Sequence, residues 1–274
     1  MSITNRRVLP GFSLGLGYTL AYLTLLVLIP LAACVLKASE LSLPEFVSAV
    51  WTPRARAAYA LTFGASLAAA LVNALIGLTT AWTLVRYEFP GRRIVDALVD
   101  VPLALPTAVA GLVYASLYVG NGWLGRFLVP LGIEGTYSRF GIVLVLVFTG
   151  FPFVVRAVQP VLADIDAEVE EAASVLGADR WQTFRRVILP GLLPSLLSGF
   201  TLAFARAVGE YGSVIFVSSN MPYQTEIAPV LVVGRLEGFA YREAAAVAVV
   251  LLGFSFVLLV LINLLERWSL RHAE

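Results

Sequence analysis

The residue types that most enzymes use are scarce in this 274-residue chain. Lys37 is its only lysine, His272 its only histidine and Cys34 its only cysteine. A nucleotide-binding P-loop needs a lysine directly after a glycine-rich turn, and Lys37 instead follows Val35-Leu36. Neither a metal cluster nor a histidine-based nucleophile can be assembled from one histidine and one cysteine. We therefore predict no catalytic residue, no metal site and no nucleotide or other cofactor held by this chain.

Two charges stand inside an apolar block near the end of the chain. Arg206 and Glu210 are four residues apart, so a helix places them on one face. Charged side chains in a membrane are costly and usually face the bundle interior or a watery path. Two interpretations stay open: the pair neutralises itself and braces its helix, or Arg206 briefly contacts a passing anion. Ser213 adds a hydroxyl donor, although such hydroxyls often bond their own backbone.

A longer polar stretch, DIDAEVEEAASVLGADRWQTFRRVILPG at 164–191, separates two apolar blocks. Its pattern predicts two short helices joined by a turn. Asp166 can cap the first helix with its carboxylate. Gly177 suits the left-handed position that ends a helix. Asp179 and Gln182 fit a capping box for the second helix.

The second half of this stretch carries aromatic residues. Trp181 and Phe184 are three residues apart and share a helix face, and Pro190 is expected to close the segment. A short helix that shows aromatic rings to water should be docked against the chain itself or against a partner. Two faces are candidates, one with Ala172 and Ala173 and one with Trp181 and Phe184. The sequence leaves open which of them packs on the chain itself and which contacts a partner.

The elements that position these residues are predicted to lie in a membrane. Hydrophobic residues make up 59% of the chain, charged residues 14%, and mean hydropathy is +0.86; a soluble domain carries about 25% charged residues. A membrane-spanning helix needs roughly 20 mostly apolar residues. We predict an all-α integral membrane protein with one membrane domain at 12–265 and short tails at 1–11 and 266–274. The six predicted spans are 12–36, 59–84, 94–119, 140–160, 191–217 and 241–265.

The distribution of basic residues predicts the orientation. With both termini inside, the inside basic residues are Arg6, Arg7, Arg86, Arg92, Arg93, Arg156, Arg180, Arg185, Arg186, Arg267 and Arg271. The outside basic residues are Lys37, Arg54, Arg56, Arg126, Arg139, Arg235 and Arg242. The excess on the first side favours N-in and C-in, which places 164–191 in the cytoplasm.

Prolines interrupt several predicted spans, including Pro102 and Pro106 in the third and Pro152 in the fourth. A proline in a membrane helix frees backbone carbonyls that neighbouring helices must satisfy. Kinked helices of this kind suit a transporter core, although a single proline is often merely tolerated. Outside the spans, LSLPEFVSAVWT at 41–52 predicts a short interfacial helix with Trp51 near headgroup depth.

The polar stretch resembles the cytoplasmic signature of binding-protein-dependent (type I) ABC importer permeases, with Val187 in place of the usual isoleucine. The resemblance rests on Glu171-Ala172-Ala173, Gly177, Val187 and Leu189-Pro190. It implies the type I permease fold with a cytoplasmic coupling helix in the loop 161–190. It also implies a dimer of separate ATPase subunits that binds ATP and magnesium. The residues it assigns to ATPase coupling are Glu171, Ala172, Ala173, Gly177, Ala178, Asp179, Trp181, Phe184, Val187, Leu189 and Pro190.

A second resemblance, over 205–232, is to sulfate/thiosulfate importer permeases and among them to the T-type subunit. It rests on GEYGS at 209–213, MPYQTEI at 221–227 and PLALPTAVAG at 102–111. It implies an inner-membrane heterodimer with a second homologous permease, a periplasmic sulfate- or thiosulfate-binding protein and membrane lipid as partners, and no nucleic acid. By analogy the loop 219–240 is an outer gate or docking surface. The expected path or gate residues are Arg206, Glu210, Tyr211, Ser213, Thr225 and Glu226.

Other functions remain open at this point. The closest alternative is a permease for molybdate or another oxyanion, because GE[FY]G also occurs in molybdate permeases. An ion-coupled secondary transporter would need intramembrane relays, and only Arg206 and Glu210 lie well inside a span. A membrane scaffold without transport would not need kinked spans together with a coupling signature.

Overall fold

A computed structural model describes the backbone of residues 12–271 and the side chains of residues 12–264. Within that part the chain is helical, without strands. The α-helices are α1 Phe12–Leu23, α2 Ile29–Ser39, α3 Leu43–Val50, α4 Pro53–Arg86, α5 Arg92–Val99, α6 Val101–Ala104, α7 Thr107–Tyr118, α8 Gly125–Leu128, α9 Arg139–Ala163, α10 Ala167–Val175, α11 Arg180–Thr183, α12 Leu189–Val208, α13 Val214–Val217, α14 Ala228–Glu237 and α15 Tyr241–Arg271. Two π-helical turns, Thr24–Leu28 and Phe184–Ile188, join α1 to α2 and α11 to α12.

Five helices are long and apolar enough to cross a membrane. They are Phe12–Ser39, Pro53–Arg86, Arg139–Ala163, Arg180–Val208 and Tyr241–Leu264. The first, second and fourth predicted spans each fall within one of them, and the sixth falls within α15. The chain between the second and fourth spans is helical but broken, so a sixth crossing stays a prediction.

The third predicted span, 94–119, is wrong as a continuous helix. Residues 92–118 form α5, α6 and α7 instead, and the longest piece, Thr107–Tyr118, has 12 residues. Pro106 causes the second break: Leu105 before it is extended, with ψ 133°, because the proline ring excludes the helical conformation there. Pro102 lies in the first turn of α6, where its missing N–H is tolerated.

The fifth predicted span, 191–217, has different bounds. Its helix starts at Arg180, inside the polar stretch, and ends at Val208. Pro190 therefore does not close the polar segment. The π-helical turn explains why the helix continues through this proline. Leu189 donates its N–H to Phe184 O across the turn, and Pro190 lies in the first turn of α12, where a backbone N–H group is not required.

The core is formed by α4, α9 and α12, which approach closely at glycines. A Cβ on Gly77 of α4 would lie 2.7 Å from Val154 Cγ1 of α9, and one on Gly199 of α12 would lie 2.8 Å from Val154 Cα. Small residues at such crossings allow close van der Waals packing, which drives helix association in lipid. Leu84, Val158 and Leu192 fill the same core with fully buried side chains.

The helices define two ends of the bundle. We call the end that holds Arg86, Ala163 and Arg180 the segment end, because Arg86 there pairs with Glu170. The opposite end, the loop end, is marked by the pairing of Arg54 with Glu226. The orientation prediction assigned Arg54 and Arg86 to opposite sides of the membrane. The two residues lie at opposite ends of α4, as that assignment requires. Which end faces the cytoplasm stays a prediction.

The predicted short helix before the second span is confirmed as α3. Its first turn is fixed by Glu45, whose carboxylate accepts hydrogen bonds from Ser42 N at 2.9 Å and Ser42 Oγ at 2.6 Å. These bonds favour the ionised form and hold the pKa of Glu45 below its usual value. Trp51 directly follows α3 and its side chain is 53% exposed.

Candidate functional site

The polar segment folds as a helix, a tight turn and the start of a second helix. Asp166 occupies the N-cap position of α10, but its carboxylate caps no N–H group, so that prediction is wrong. Its backbone carbonyl accepts from Val169 N at 3.2 Å instead. The first turn is exposed, and water can satisfy the remaining N–H groups at little cost. Glu168 and Glu170 in that turn still complement the helix dipole.

The turn between the two helices is built on Gly177. Its φ is +85°, the left-handed conformation predicted for it. Gly177 N donates to Ser174 O at 2.9 Å, and Ala178 N donates to Ala173 O at 3.0 Å. These bonds satisfy carbonyls that the end of α10 would leave free.

The second helix begins with the predicted capping box, which is confirmed. Gln182 N donates to Asp179 Oδ1 at 2.7 Å, and Asp179 N donates to Gln182 Oε1 at 3.1 Å. Because Gly177 and this box adjoin, the direction of the chain is fixed on both sides of the turn. The turn therefore presents its side chains in one defined arrangement.

The aromatic residues divide between the chain and solvent. Trp181 and Phe184 stack with ring centroids 5.6 Å apart, as their spacing predicted. Phe184 also meets Trp82 of α4 edge to face at 5.5 Å and is half-buried. Trp181 is 65% exposed, and Val175 and Leu176 are each 87% exposed. Phe184 thus packs on this chain, whereas Trp181, Val175 and Leu176 form an apolar tip, which we call the exposed tip.

The remaining residues assigned to coupling lie on either side of this tip. Glu171 and Ala172 are exposed, Ala173 and Ala178 are half-buried, and Val187 and Leu189 are half-buried where α12 joins the bundle. Pro190 is exposed. The structure therefore brings the signature residues into one continuous unit at the segment end.

Sequence reasoning missed the residue that ties this unit to the membrane helices. Arg86, the last residue of α4, forms an ion pair with Glu170 of α10. Its guanidinium also lies 5.5 Å from the centre of the Trp82 ring. The only signal in the sequence was a basic residue at the end of a span, which does not indicate a partner 84 positions later.

The charged pair in the fifth span lies at a bend. Arg206 is in the last turn of α12 and pairs with Glu210, which follows the end of that helix. Glu210 is 1% exposed and also accepts from Ser213 N and Ser213 Oγ, each at 2.9 Å. The structure thus joins Arg206, Glu210 and Ser213, and the pairing that the residue spacing suggested is present.

The bend is packed tightly against α7, the last helix of the broken region 92–118. A Cβ on Gly111 of α7 would lie 2.8 Å from Ser213 Cα, and one on Gly212 would lie 3.2 Å from Thr107 Cβ. Only glycine fits at these two positions. The break at Pro106 and the bend at 209–213 therefore form one interlocked unit.

Of the other predicted path residues, Thr225 and Glu226 lie in a separate loop, and Tyr211 adjoins Glu210. Glu226 is 4% exposed and makes two hydrogen bonds with Arg54, at 2.6 and 2.8 Å, at the loop end. Thr225 holds the same loop together, with its carbonyl 2.7 Å from Ser218 Oγ and its hydroxyl 2.6 Å from Ser219 Oγ. Tyr211 lines an apolar cavity of about 500 Å³ between α12, α14 and α15.

Arg156 of α9 organises a further ionic cluster. Its guanidinium donates to Asp100 at 2.7 and 2.9 Å, to the Asp96 carboxylate at 2.6 Å, to Asp96 O at 2.7 Å and to Gln159 at 2.5 Å. All five N–H groups are used. Asp96 and Asp100 are therefore both paired with Arg156. In the described residues no group of three or more His, Cys, Asp or Glu side chains could hold a metal ion.

The helical bundle, with five apolar helices long enough to cross a membrane and an exposed polar segment at one end, has the architecture of a multi-pass membrane protein. Residues 73–272 match the family described as binding-protein-dependent transport system inner membrane component. The chain belongs to this family, and it is therefore a multi-pass inner-membrane protein.

Several relatives and solved structures are similar over most of the chain. The sulfate transport system permease protein CysT of Synechocystis sp. is 51% identical over 93% of this chain and 90% of its own length. The protein of the same name from Salmonella typhimurium is 47% identical over 97% of this chain and 96% of its own length. A bacterial alginate ABC transporter, solved with an alginate-bound periplasmic protein, matches in fold with a TM-score of 0.78 at 18% identity, covering 93% of each chain.

Proposed function

We propose that this chain is a permease subunit of an ATP-driven importer that carries sulfate or thiosulfate across the inner membrane. The cargo is supported by about half of all positions being identical to permeases named for sulfate transport. The observation that carries the coupling role is the polar segment with its exposed tip at the segment end. The chain itself performs no ATP hydrolysis; a dimer of ATPase subunits binds ATP and magnesium.

In this proposal the exposed tip inserts into the ATPase and moves with it. Trp181, Val175 and Leu176 supply the apolar contacts, and apolar side chains that project from a fixed turn suit a protein partner. The helix Arg180–Val208 is continuous, so a displacement of the tip reaches Arg206 through one rigid element. The ion pair of Arg86 with Glu170 passes the same displacement to α4.

The oxyanion is proposed to pass near Arg206. The Nη1 of Arg206 donates to Glu210, and the other N–H groups of this guanidinium make no hydrogen bond to the described part of the chain. Ser213 holds the Glu210 carboxylate, so the guanidinium can turn toward an anion without leaving Glu210 wholly unpaired. A path must release what it accepts, which favours one such contact over a tight cage.

At the loop end, the loop that carries Thr225 and Glu226 is proposed as the outer gate and as the docking surface for a periplasmic binding protein. Arg54 and Arg139 fasten this loop: Arg139 Nε donates to Gln224 O at 2.9 Å. A second homologous permease is proposed to complete the path. The heterodimer is supported by the resemblance of residues 205–232 to the T-type subunit.

The test is reconstitution of this chain in proteoliposomes with its ATPase, a second permease and a binding protein. We expect ATP hydrolysis to rise when the binding protein is loaded with sulfate or thiosulfate. Stimulation by molybdate alone would refute the cargo. Sulfate uptake driven by an ion gradient without the ATPase would refute the class.

A further inference from the structure

A cavity of about 270 Å³ lies at the loop end, between the end of α3, the first turns of α4 and the middle of α15. It is lined by Trp51, Arg56, Tyr59, Ala60, Phe63 and Phe254. We propose that it binds one membrane phospholipid, with the phosphodiester at Arg56 and an acyl chain along α4 and α15. This proposal is independent of the cargo and of the coupling role.

The charge at the edge of the cavity is that of Arg56, whose aliphatic stem lines the wall. Its side chain is exposed and forms no ion pair or hydrogen bond to the residues that the structure describes. The neighbouring guanidinium groups are occupied: Arg54 is paired with Glu226, and Arg235 donates to Ala49 O and Glu243 O. A guanidinium forms strong, often two-pronged hydrogen bonds with phosphate oxygens. Arg56 therefore favours an anionic phosphodiester.

Tyr59 contributes an aromatic ring to the wall of the cavity. Its side chain is 6% exposed, and its hydroxyl is buried away from the cavity. The charge of Arg56 is therefore the polar group on which the proposal rests.

The rest of the wall is apolar and continues along the bundle. The rings of Tyr59 and Phe63 lie 6.3 and 6.2 Å from that of Phe254. From the cavity toward the segment end, exposed apolar residues follow at helical spacing on both helices: Leu67 and Leu71 on α4, and Val257 and Leu261 on α15. An acyl chain laid along this surface would remain in apolar contact.

The position of the cavity argues for a lipid over a soluble anion. Trp51 lies at its rim, directly before the span Pro53–Arg86, and tryptophan is enriched where a membrane meets water. A soluble oxyanion would have little use for four aromatic rings. A phospholipid uses the charge and the apolar wall together.

The test is native mass spectrometry of the intact importer complex, purified in detergent and titrated with phosphatidylglycerol. Arg56→Gln removes the charge, and Arg126→Gln is the matched control, because Arg126, like Arg56, lies outside the spans predicted from the sequence but stacks on its neighbour Phe127. We expect the wild type and R126Q to retain one lipid per chain, and R56Q to retain it about tenfold less tightly. Equal retention by all three proteins would overturn the proposal.

Two further measurements fix the place and the chemistry of the lipid. Phosphatidylglycerol brominated near its glycerol should quench tryptophan fluorescence in the wild type and less in Trp51→Phe. Uncharged diacylglycerol should bind no better to wild type than to R56Q; a difference would contradict the role of the phosphodiester. Retention by the isolated chain but not by the complex would show that a subunit covers the cavity, and would also overturn the proposal.

Discussion

The guanidinium of Arg86 and the carboxylate of Glu170 form an ion pair that joins the end of α4 to the middle of α10. The two side chains are 24% and 30% exposed, so water screens the pair only in part. This contact and the packing of Phe184 on Trp82 fasten the polar segment to a membrane helix at two points. A motion of the segment is therefore communicated to α4 as well as to α12.

Removal of the Arg86–Glu170 pair should weaken communication between the ATPase and the bundle. We expect Arg86→Gln or Glu170→Gln to remove about 1–2 kcal/mol of interaction and to lower cargo-stimulated ATP hydrolysis several-fold, with membrane insertion unchanged. The exchanged pair R86E/E170R should recover part of the stimulation. If the exchanged pair showed no more cargo-stimulated ATP hydrolysis than the single variants, loss of the ion pair would not explain the reduced stimulation.

Gly177 should tolerate no ordinary side chain. The space around it is open, so the cost of Gly177→Val comes from its φ of +85°, about 1–2 kcal/mol or more for a β-branched residue. We expect G177V to lose association with the ATPase while the membrane helices remain folded, as measured by co-purification and circular dichroism.

A matched control for that prediction is Gly191→Ala. Gly191 also has open space around it, but it lies within α12 and its φ is not positive. Alanine there should keep or improve stability. Gly177→Asn should be milder than G177V, because asparagine adopts the left-handed conformation more readily. Full coupling in G177V would contradict the assigned role of the turn.

Substitution of Trp181 and substitution of Phe184 should have different effects, although the two rings stack. Trp181→Ala removes an exposed ring and should reduce binding of the ATPase by about tenfold or more with thermal stability unchanged. Phe184→Ala removes the contact with Trp82 and should destabilise the segment by about 2–3 kcal/mol. Thermal unfolding and a pull-down assay, carried out on both variants, separate the two effects; identical profiles would show that the rings act as one unit.

The pair of Arg206 and Glu210 offers a test between its two interpretations. Arg206→Gln leaves the buried Glu210 carboxylate without its ion-pair partner and should destabilise the protein by about 3–5 kcal/mol. The double variant R206Q/E210Q should restore stability because no charge is left alone. If Arg206 contacts the anion, the stable double variant should still transport poorly; normal transport would leave bracing as its only role.

Local signals in the sequence were sufficient for the turn of the polar segment. Gly177 and the Asp179–Gln182 capping box depend on residues within three positions of each other, and both are confirmed. The Asp166 cap was wrong because an exposed first turn does not require a side chain. The stacking of Trp181 and Phe184 followed from helical spacing, but their different exposure depends on Trp82, about 100 residues earlier.

The shape of the spans was harder to predict from hydropathy. An apolar window measures composition and does not register a break at Leu105–Pro106 or a bend after Val208. The break follows locally from Pro106, whereas the bend depends on tertiary packing, since Gly111 and Ser213 approach each other closely only when α7 and the bend are assembled. The pairing of Arg54 with Glu226 crosses 172 positions and had no local signal.

The saturation of Arg156 has a kinetic consequence. One guanidinium is shared by two carboxylates, so the cluster has a formal charge of +1 − 2 = −1 and no N–H group left over. It lines a cavity of about 240 Å³ with Leu103, Phe153 and Leu202 near the segment end. We therefore expect an oxyanion that reaches this cavity to find no free N–H group on Arg156 and two carboxylates beside it, so that the cluster favours release of the anion over its retention.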